Sequence, residues 1–309
     1  MLWGSFSEIR DFKSWYWMES LLLFQWILIL FFFTLAIGLL APMGGVGGGV
    51  LFVPLATAFL PFNVDFIRGA GLLMALTSSL SSSPYFIKKG LANIRIVIPI
   101  ALVSIVTSIC GSLVGLWLTN SFPNGDSYFS ICLGILLIFI FIVMLSSRGV
   151  EFPHSRPVDP FTSNFGLEGE WFEPSMDRNV SYQANNLPYA LLSFAAVGFI
   201  AGMFGLGAGW ANVPVFNLVM GVPIKVAAAT SMVLITVNDA AASWVYIARG
   251  AVLPLICVPS VLGISIGARI GARLAVKAKP LFIKHLVMSI MLFAAVVDIL
   301  KGIRGIGLL

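Results

Sequence analysis

Charge is scarce in this 309-residue chain: Asp, Glu, Lys and Arg together make up 10% of it. Soluble domains carry roughly a quarter, so an ordinary water-facing surface is excluded. Lys and Arg nowhere cluster with interleaved aromatics, which excludes a nucleic-acid surface. The net charge of +5 fits positive loops facing the cytoplasm. Histidine is nearly absent. His154 and His285 lie in or beside loops without metal-ligand spacing, so no metal and no cofactor is expected. No phosphate-binding glycine loop ending in Lys-Ser/Thr occurs, which argues against direct ATP drive. The three cysteines, Cys110, Cys132 and Cys257, fall inside apolar stretches, read as small packing residues, and predict no disulfide. A short apolar core followed by a small-residue cleavage site is also missing, so residues 1–20, with Trp3, Trp15, Tyr16 and Trp17, read as an interfacial segment rather than a cleaved leader.

What the chain has in abundance is apolar sequence, 59% of residues. Runs long enough to cross a ~30 Å hydrocarbon core recur throughout. The pattern predicts an all-α polytopic membrane protein of ten apolar segments, at 21–43, 50–60, 68–87, 96–118, 128–145, 187–203, 210–220, 226–247, 251–276 and 281–300. The second and seventh are only about half a bilayer long at 1.5 Å per residue. The division that follows is an interfacial segment 1–20, a first repeat 21–145, a polar linker 146–187 and a second repeat 188–309. The linker holds six acids and several prolines, with room for one short helix packed through Phe161, Phe165 and Trp171.

One glycine-rich sentence is written twice. Residues 38–54 read GLLAPMGGVGGGVLFVP and residues 198–214 read GFIAGMFGLGAGWANVP, an offset of 160 without a gap. Lys89-Gly90, Pro99 and Gly111 likewise fall on Arg249-Gly250, Pro259 and Gly271. In lipid, a break in a helix survives only where protein or a water-filled cavity satisfies the freed backbone. Interrupted segments at matching places in two halves mark a transporter's binding site.

Loop charge then sets orientation. The turn at 120–126 has no Lys or Arg, whereas its counterpart is flanked by Arg269, Arg273, Lys277, Lys279 and Lys284. Basic residues stay inside, so the halves are expected to be inverted. The 88–95 loop and the linker then face the cytoplasm, and Arg249 faces outward.

Two inverted breaks would aim two helix N-termini at one midplane cavity, an arrangement suited to a small anion. The expected substrate contacts are Gly45, Gly47, Gly48 and Gly49 with Gly205, Gly207 and Gly209. Thr77, Ser78, Thr230, Ser231 and Asn238 supply neutral donors, or else bond their own backbone and neighbouring helices. The structural alternative for the glycines is tight helix crossing. Asp239 stands out, because a mid-helix carboxylate costs about 2.5–3.5 kcal/mol to insert. It must be paired, protonated or functional, and it is the expected proton-coupling group. Asp65 and Arg68 are expected to pair, Arg68 and Lys225 alternatively gathering anions at a vestibule. Asp298, near Lys301 and Arg304, reads as a solvated helix end. Gly263-Ile264-Ser265-Ile266-Gly267 has the spacing of a nucleophile elbow but sits in an apolar helix without a serving histidine. No catalytic residue is assigned, and the chain is not expected to be an enzyme.

The two glycine motifs ending in Pro54 and Pro214, the stretch AAATSMVLITVNDAAASWVYIARGAV at 227–252 and the glycine-bearing helix after it resemble the TauE/SafE family of sulfite and organosulfonate exporters. The likeness extends over about residues 30–305. It implies a multi-pass carrier of the cell (inner) membrane for a small sulfur-containing anion, working in export, with the lipid bilayer and the anion as partners. Half one departs from the pattern, with Gly69-Ala70-Gly71 where half two has Ala229-Thr230-Ser231. A carrier of another small anion, an importer and an anion channel are the competing readings. Oligomeric state stays open, a homo-oligomer included.

Overall fold

The computed structural model describes residues 4–60, 62–146, 159–173, 177–276 and 280–306. Half one consists of α1 (Gly4–Gly44), α2 (Gly49–Phe59), α3 (Val64–Lys88), α4 (Ile94–Ser121) and α5 (Gly125–Ser146). A four-residue helix α6 (Pro160–Ser163) and a hairpin, β1 (Glu168–Glu173) and β2 (Arg178–Gln183), follow. Half two consists of α7 (Leu187–Phe204), α8 (Gly209–Pro214) continuing into a π-turn (Val215–Val219), α9 (Ile224–Ala248), α10 (Pro254–Ala275) and α11 (Pro280–Gly305). Among the described residues, six helices are long and apolar enough to cross a membrane: the 23–44 part of α1, then α4, α5, α7, α9 and α10. The protein is an all-α polytopic membrane protein. Helix α3 has the length, but its serines at 78, 79, 81, 82 and 83 dilute its apolar character.

Helix starts follow local chemistry. Asn63 caps α3 by accepting the Asp65 N–H at 2.8 Å, and Asp65 then sits favourably on the positive end of the helix dipole. Asn93 caps α4 by accepting from the N–H groups of Arg95 and Ile96. Pro254 opens α10 at a position where no N–H is needed.

The helix pairings exchange with one another. Helix α1 packs on α10 as α7 packs on α4, and α3 packs on α10 as α9 packs on α4, while α3 meets α9 and α5 meets α11. Small residues make the seams. The Phe31, Leu35 and Leu39 carbonyls lie against Gly263, Gly267 and Gly271, so α1 and α10 run parallel. Gly198 and Gly202 meet the Ser104 and Ser108 carbonyls, so α7 and α4 are parallel too. Helices α3 and α9 are antiparallel: Gly69 lies beside Tyr246 and Ala251, and Ser83 is bonded to Thr236 at 3.3 Å.

The segment expected to be a polar linker is partly a docked element. The hairpin was not foreseen. Its Trp171 and the preceding Leu167 are buried against Ile96, Val97 and Ile100 of α4 and Leu187 of α7. Phe161 and Phe165 are exposed and pack on each other instead. Asp159 caps α6, and its bonds from the Thr162 hydroxyl and N–H hold its carboxyl below the usual range. Asn93 ties the hairpin to the bundle, donating to Tyr182 Oη at 2.9 Å and the Glu168 carbonyl at 3.3 Å. Burial pushes the Tyr182 phenol up, against the pull of that bond from Asn93. Asn93→Ala removes a cap worth about 1 kcal/mol and two hydrogen bonds worth about 1 kcal/mol each. We expect faster protease cutting within the hairpin of the detergent-solubilised variant; an unchanged rate would show that Asn93 does not hold it.

Two further expectations are corrected. Cys110 and Cys132 are exposed on the outer faces of α4 and α5, not packed, and only Cys257 is buried; all three are free. Asp298 is fully buried rather than solvated, because its face of α11 turns inward beneath the end of the helix.

Candidate functional site

The two glycine breaks lie against each other at the centre of the bundle. Helix α1 ends with Gly45 at φ +65°, where the Val46 N–H reaches back to Ala41 O and the Gly45 N–H to Pro42 O, a left-handed cap that satisfies two orphan carbonyls. Gly205, at φ +70°, ends α7 in the same conformation. Each break then turns once more, at Gly47 (φ +74°) and Gly207 (φ +76°). Side chains rarely adopt these angles.

Contacts at the breaks are reciprocal. A Cβ at Gly49 would press on the Leu206 carbonyl at 2.6 Å, and one at Gly209 would collide with the Val46 carbonyl. Gly45 backs onto Ala228, as Gly205 backs onto Arg68, 160 residues earlier. Gly48 has the Ile264 side chain and the Met74 carbonyl beside it. Ala75 of α3 lies between the breaks, its Cβ 3.8 Å from the Cβ position of Gly47 and 2.8 Å from that of Gly207. Gly49 and Gly209 therefore touch the opposite break directly, and Gly47 and Gly207 meet across Ala75.

Short segment and long helix form a hairpin in half two. The Asn185 N–H bonds the Met220 carbonyl at 2.9 Å, and Asn186 Nδ2 bonds the Val219 carbonyl at 3.0 Å. The helical run 209–219 thus returns to the end from which α7 set out.

The polar side chains divide into two groups. Thr230 and Ser231 are already engaged: Thr230 Oγ1 accepts the Asn93 N–H at 3.0 Å, and Ser231 Oγ donates to the Gly45 carbonyl at 2.8 Å. Both therefore hold the scaffold, Ser231 directly at the first break. Ser78, Asn238 and Asp239 are buried. Ser78 Oγ, both amide atoms of Asn238 and Asp239 Oδ2 have no hydrogen-bond partner among the described residues. A Cβ at Gly207 would stand 2.7 Å from Asp239 Oδ2, so this carboxyl oxygen faces the second break. Thr77, one residue before Ser78, is half-buried. Unpaired buried polar atoms cost about 1–3 kcal/mol each, and these lie on α3 and α9, the helices that bring Ala75 and Asp239 against the breaks.

Two residues of the same kind escaped the sequence reading. Trp210 Nε1 and both amide atoms of Asn212, on α8, are buried without a partner. The repeat carried the signal, since the aligned positions in α2 are the apolar Val50 and Phe52. Polarity has been concentrated in half two.

Arg68 is no vestibule cation. It is fully buried, paired to Asp65 at 2.8 Å, donates to the Met203 carbonyl in the last turn of α7, and lies over the rings of Phe129 and Tyr246. It neutralises the negative end of α7 just before the break. Among the described residues, no cluster of metal-ligating side chains occurs.

Comparison with known proteins places this geometry. The probable membrane transporter protein YunE of Bacillus subtilis (strain 168) is 29% identical over 256 residues, covering 80% of this chain and 87% of that protein. No solved structure matches. The family model described as sulfite exporter TauE/SafE matches residues 30–297. Family and relative are membrane transporters, not enzymes, and the chain, a multi-pass membrane protein with two glycine breaks meeting at its centre, belongs to the sulfite exporter TauE/SafE family.

Proposed function

We propose that the chain is a secondary transporter that exports sulfite or a small organosulfonate, with Asp239 carrying a coupled proton. The carrying observation is the set of unpartnered buried groups, Ser78 Oγ, the Asn238 amide and Asp239 Oδ2, beside the crossing of Gly47 and Gly207. Neutral donors suit an anion that must leave again: they replace its hydration without the deep well of an ion pair. The first-turn N–H groups of α2 add positive potential. Asp239 beside an anion is acceptable only as the neutral acid, so anion and proton are bound together, and the acid then donates a hydrogen bond.

The halves are read as inverted. Helix α1 runs parallel to α10, and α10 is joined to α9 by the short turn 249–253. Helix α9 opposes α3, α3 opposes α4, and α4 parallels α7; following the registers, α1 and α7 point in opposite directions. The 88–95 loop also touches the linker hairpin, in keeping with one shared face for both. Exchange between halves tips access from one side of the crossing to the other.

The test is counterflow in proteoliposomes. Labelled sulfite or methanesulfonate should accumulate against an excess of the unlabelled anion inside, and acetate should not compete. Failure of both sulfur anions to move would refute the substrate class.

A further inference from the structure

The second buried polar cluster lies at the interface of α2 and α11, away from the glycine crossing. Asp298 is fully buried, and neither of its carboxyl oxygens has a hydrogen-bond partner among the described residues. Thr57, in the last turn of α2, is equally buried with its hydroxyl unpartnered. Between them works Lys301, one helical turn after Asp298. Its side chain reaches to the bundle surface, yet its ammonium donates to the Thr57 carbonyl.

The surrounding charges are few. From α5, Asp126 faces Lys301 and accepts from Asn63 Nδ2 at 3.4 Å, with the Asp65–Arg68 pair behind it. Helix α2 brings no charged residue, nor does the 23–44 part of α1. Among the described residues, Lys301 is the cation seated against the carbonyl end of α2, where the helix dipole is negative, and one turn from Asp298; Arg304 is exposed further along α11.

Each protonation state of Asp298 has its own partner for that cation. As the neutral acid, Asp298 needs no counter-charge, and Lys301 stays on Thr57, as observed. Ionised, a buried carboxylate without a partner is strongly disfavoured, and residues spaced i, i+3 on one helix are within reach. Lys301 would then leave Thr57 for the carboxylate. The proton passes from the Asp298 carboxyl to water at the bundle end, and Lys301 remains an ammonium throughout. Helix α2 starts at Gly49, which abuts the Leu206 carbonyl of the second break, so a change at its far end is felt at the crossing.

We propose that Asp298 is a second proton-binding site of this carrier, whose proton keeps Lys301 on the Thr57 carbonyl and α2 tied to α11. The role rests on the carrier reading above but differs in kind from that of Asp239: it governs the rate of exchange, not the steady-state ratio.

The full chain in proteoliposomes, with equal pH on both sides and methanesulfonate as the probe, tests this. A one-proton switch changes its occupancy by up to about tenfold per pH unit. Against the slowing that loss of the Asp239 proton imposes as pH rises, the wild type should gain a several-fold quickening, and Asp298→Asn and Lys301→Gln should each lose that quickening with the pH-gradient response intact. Because Lys301 is an exposed residue, the Gln variant remains informative if the Asn variant fails to fold. Infrared spectra of the lipid-embedded protein, which need no substrate, should show a carboxylic-acid band that titrates and is missing in Asp298→Asn. A pH profile of the rate in both variants that is the same as the wild type's, a rate that follows sodium instead of pH, or an unchanged infrared band would overturn the proposal. Absence of methanesulfonate exchange together with the expected infrared loss would instead put the failure on the substrate class and leave the proton site standing.

Discussion

Asp239→Asn is expected to abolish the response of anion accumulation to a pH gradient. For one proton carried per anion, each pH unit sustains about a tenfold concentration ratio, equivalent to about 1.4 kcal/mol. The wild-type protein should approach that ratio in proteoliposomes, and the Asn variant should show a ratio independent of pH. Asparagine keeps the size and a hydrogen-bond donor at the position facing Gly207, so binding itself should persist. Downhill exchange therefore continues, and only the coupling is lost. A variant that still accumulates anion tenfold per pH unit would show that another group carries the proton.

The second large effect is expected at the backbone crossing. Gly209→Ala places a methyl where the Val46 carbonyl already stands. Overpacking commonly costs about 1–3 kcal/mol, and here the obstacle is main chain held by the opposite break, so the cost should reach or exceed the upper end. Gly90→Ala is the control. Gly90 sits in the turn after α3 at φ +68° with nothing within 4 Å of a Cβ, so its cost is the left-handed strain alone, about 1–2 kcal/mol. Yield of monodisperse protein and thermal unfolding in detergent should rank Gly209→Ala well below Gly90→Ala. Equal behaviour would mean that the breaks do not cross as described.

Much of this architecture was legible in the sequence because its strongest signal is local and repeated. The glycine motif specifies left-handed caps at Gly45 and Gly205, and a 160-residue offset announces that the same break is built twice. Long apolar runs with proline and asparagine at their ends mark helices without any tertiary knowledge. The linker hairpin was missed because Glu168–Glu173 and Arg178–Gln183 sit among prolines and acids, and their stability comes from Trp171 burying itself with residues of α4 and α7 and from the hydrogen bonds that Asn93 donates.

The site was legible only in outline, for a related reason. A hydroxyl in a helix does not announce its partner. Thr230 and Ser231 turned out to hold Asn93 and Gly45, residues more than a hundred positions away, while Ser78 and Asn238 were left unpaired. Asp298 was misread because Lys301, Gly302 and Arg304 make a solvated end in one dimension, whereas in three dimensions its own face of α11 is buried. Trp210 and Asn212 were within reach, had the two copies been compared for polarity as closely as for glycine.

The central claim is that a sulfur oxyanion binds at the crossing of the two breaks. Crystals grown with selenite, the heavier analogue of sulfite, test it through the anomalous signal of selenium. The account predicts one strong peak beside Gly47 and Gly207, within hydrogen-bond reach of Ser78, Asn238 or Asp239. A peak confined to the basic loop around Lys88, Lys89 and Arg95, or no peak near the crossing at saturating selenite, would contradict it.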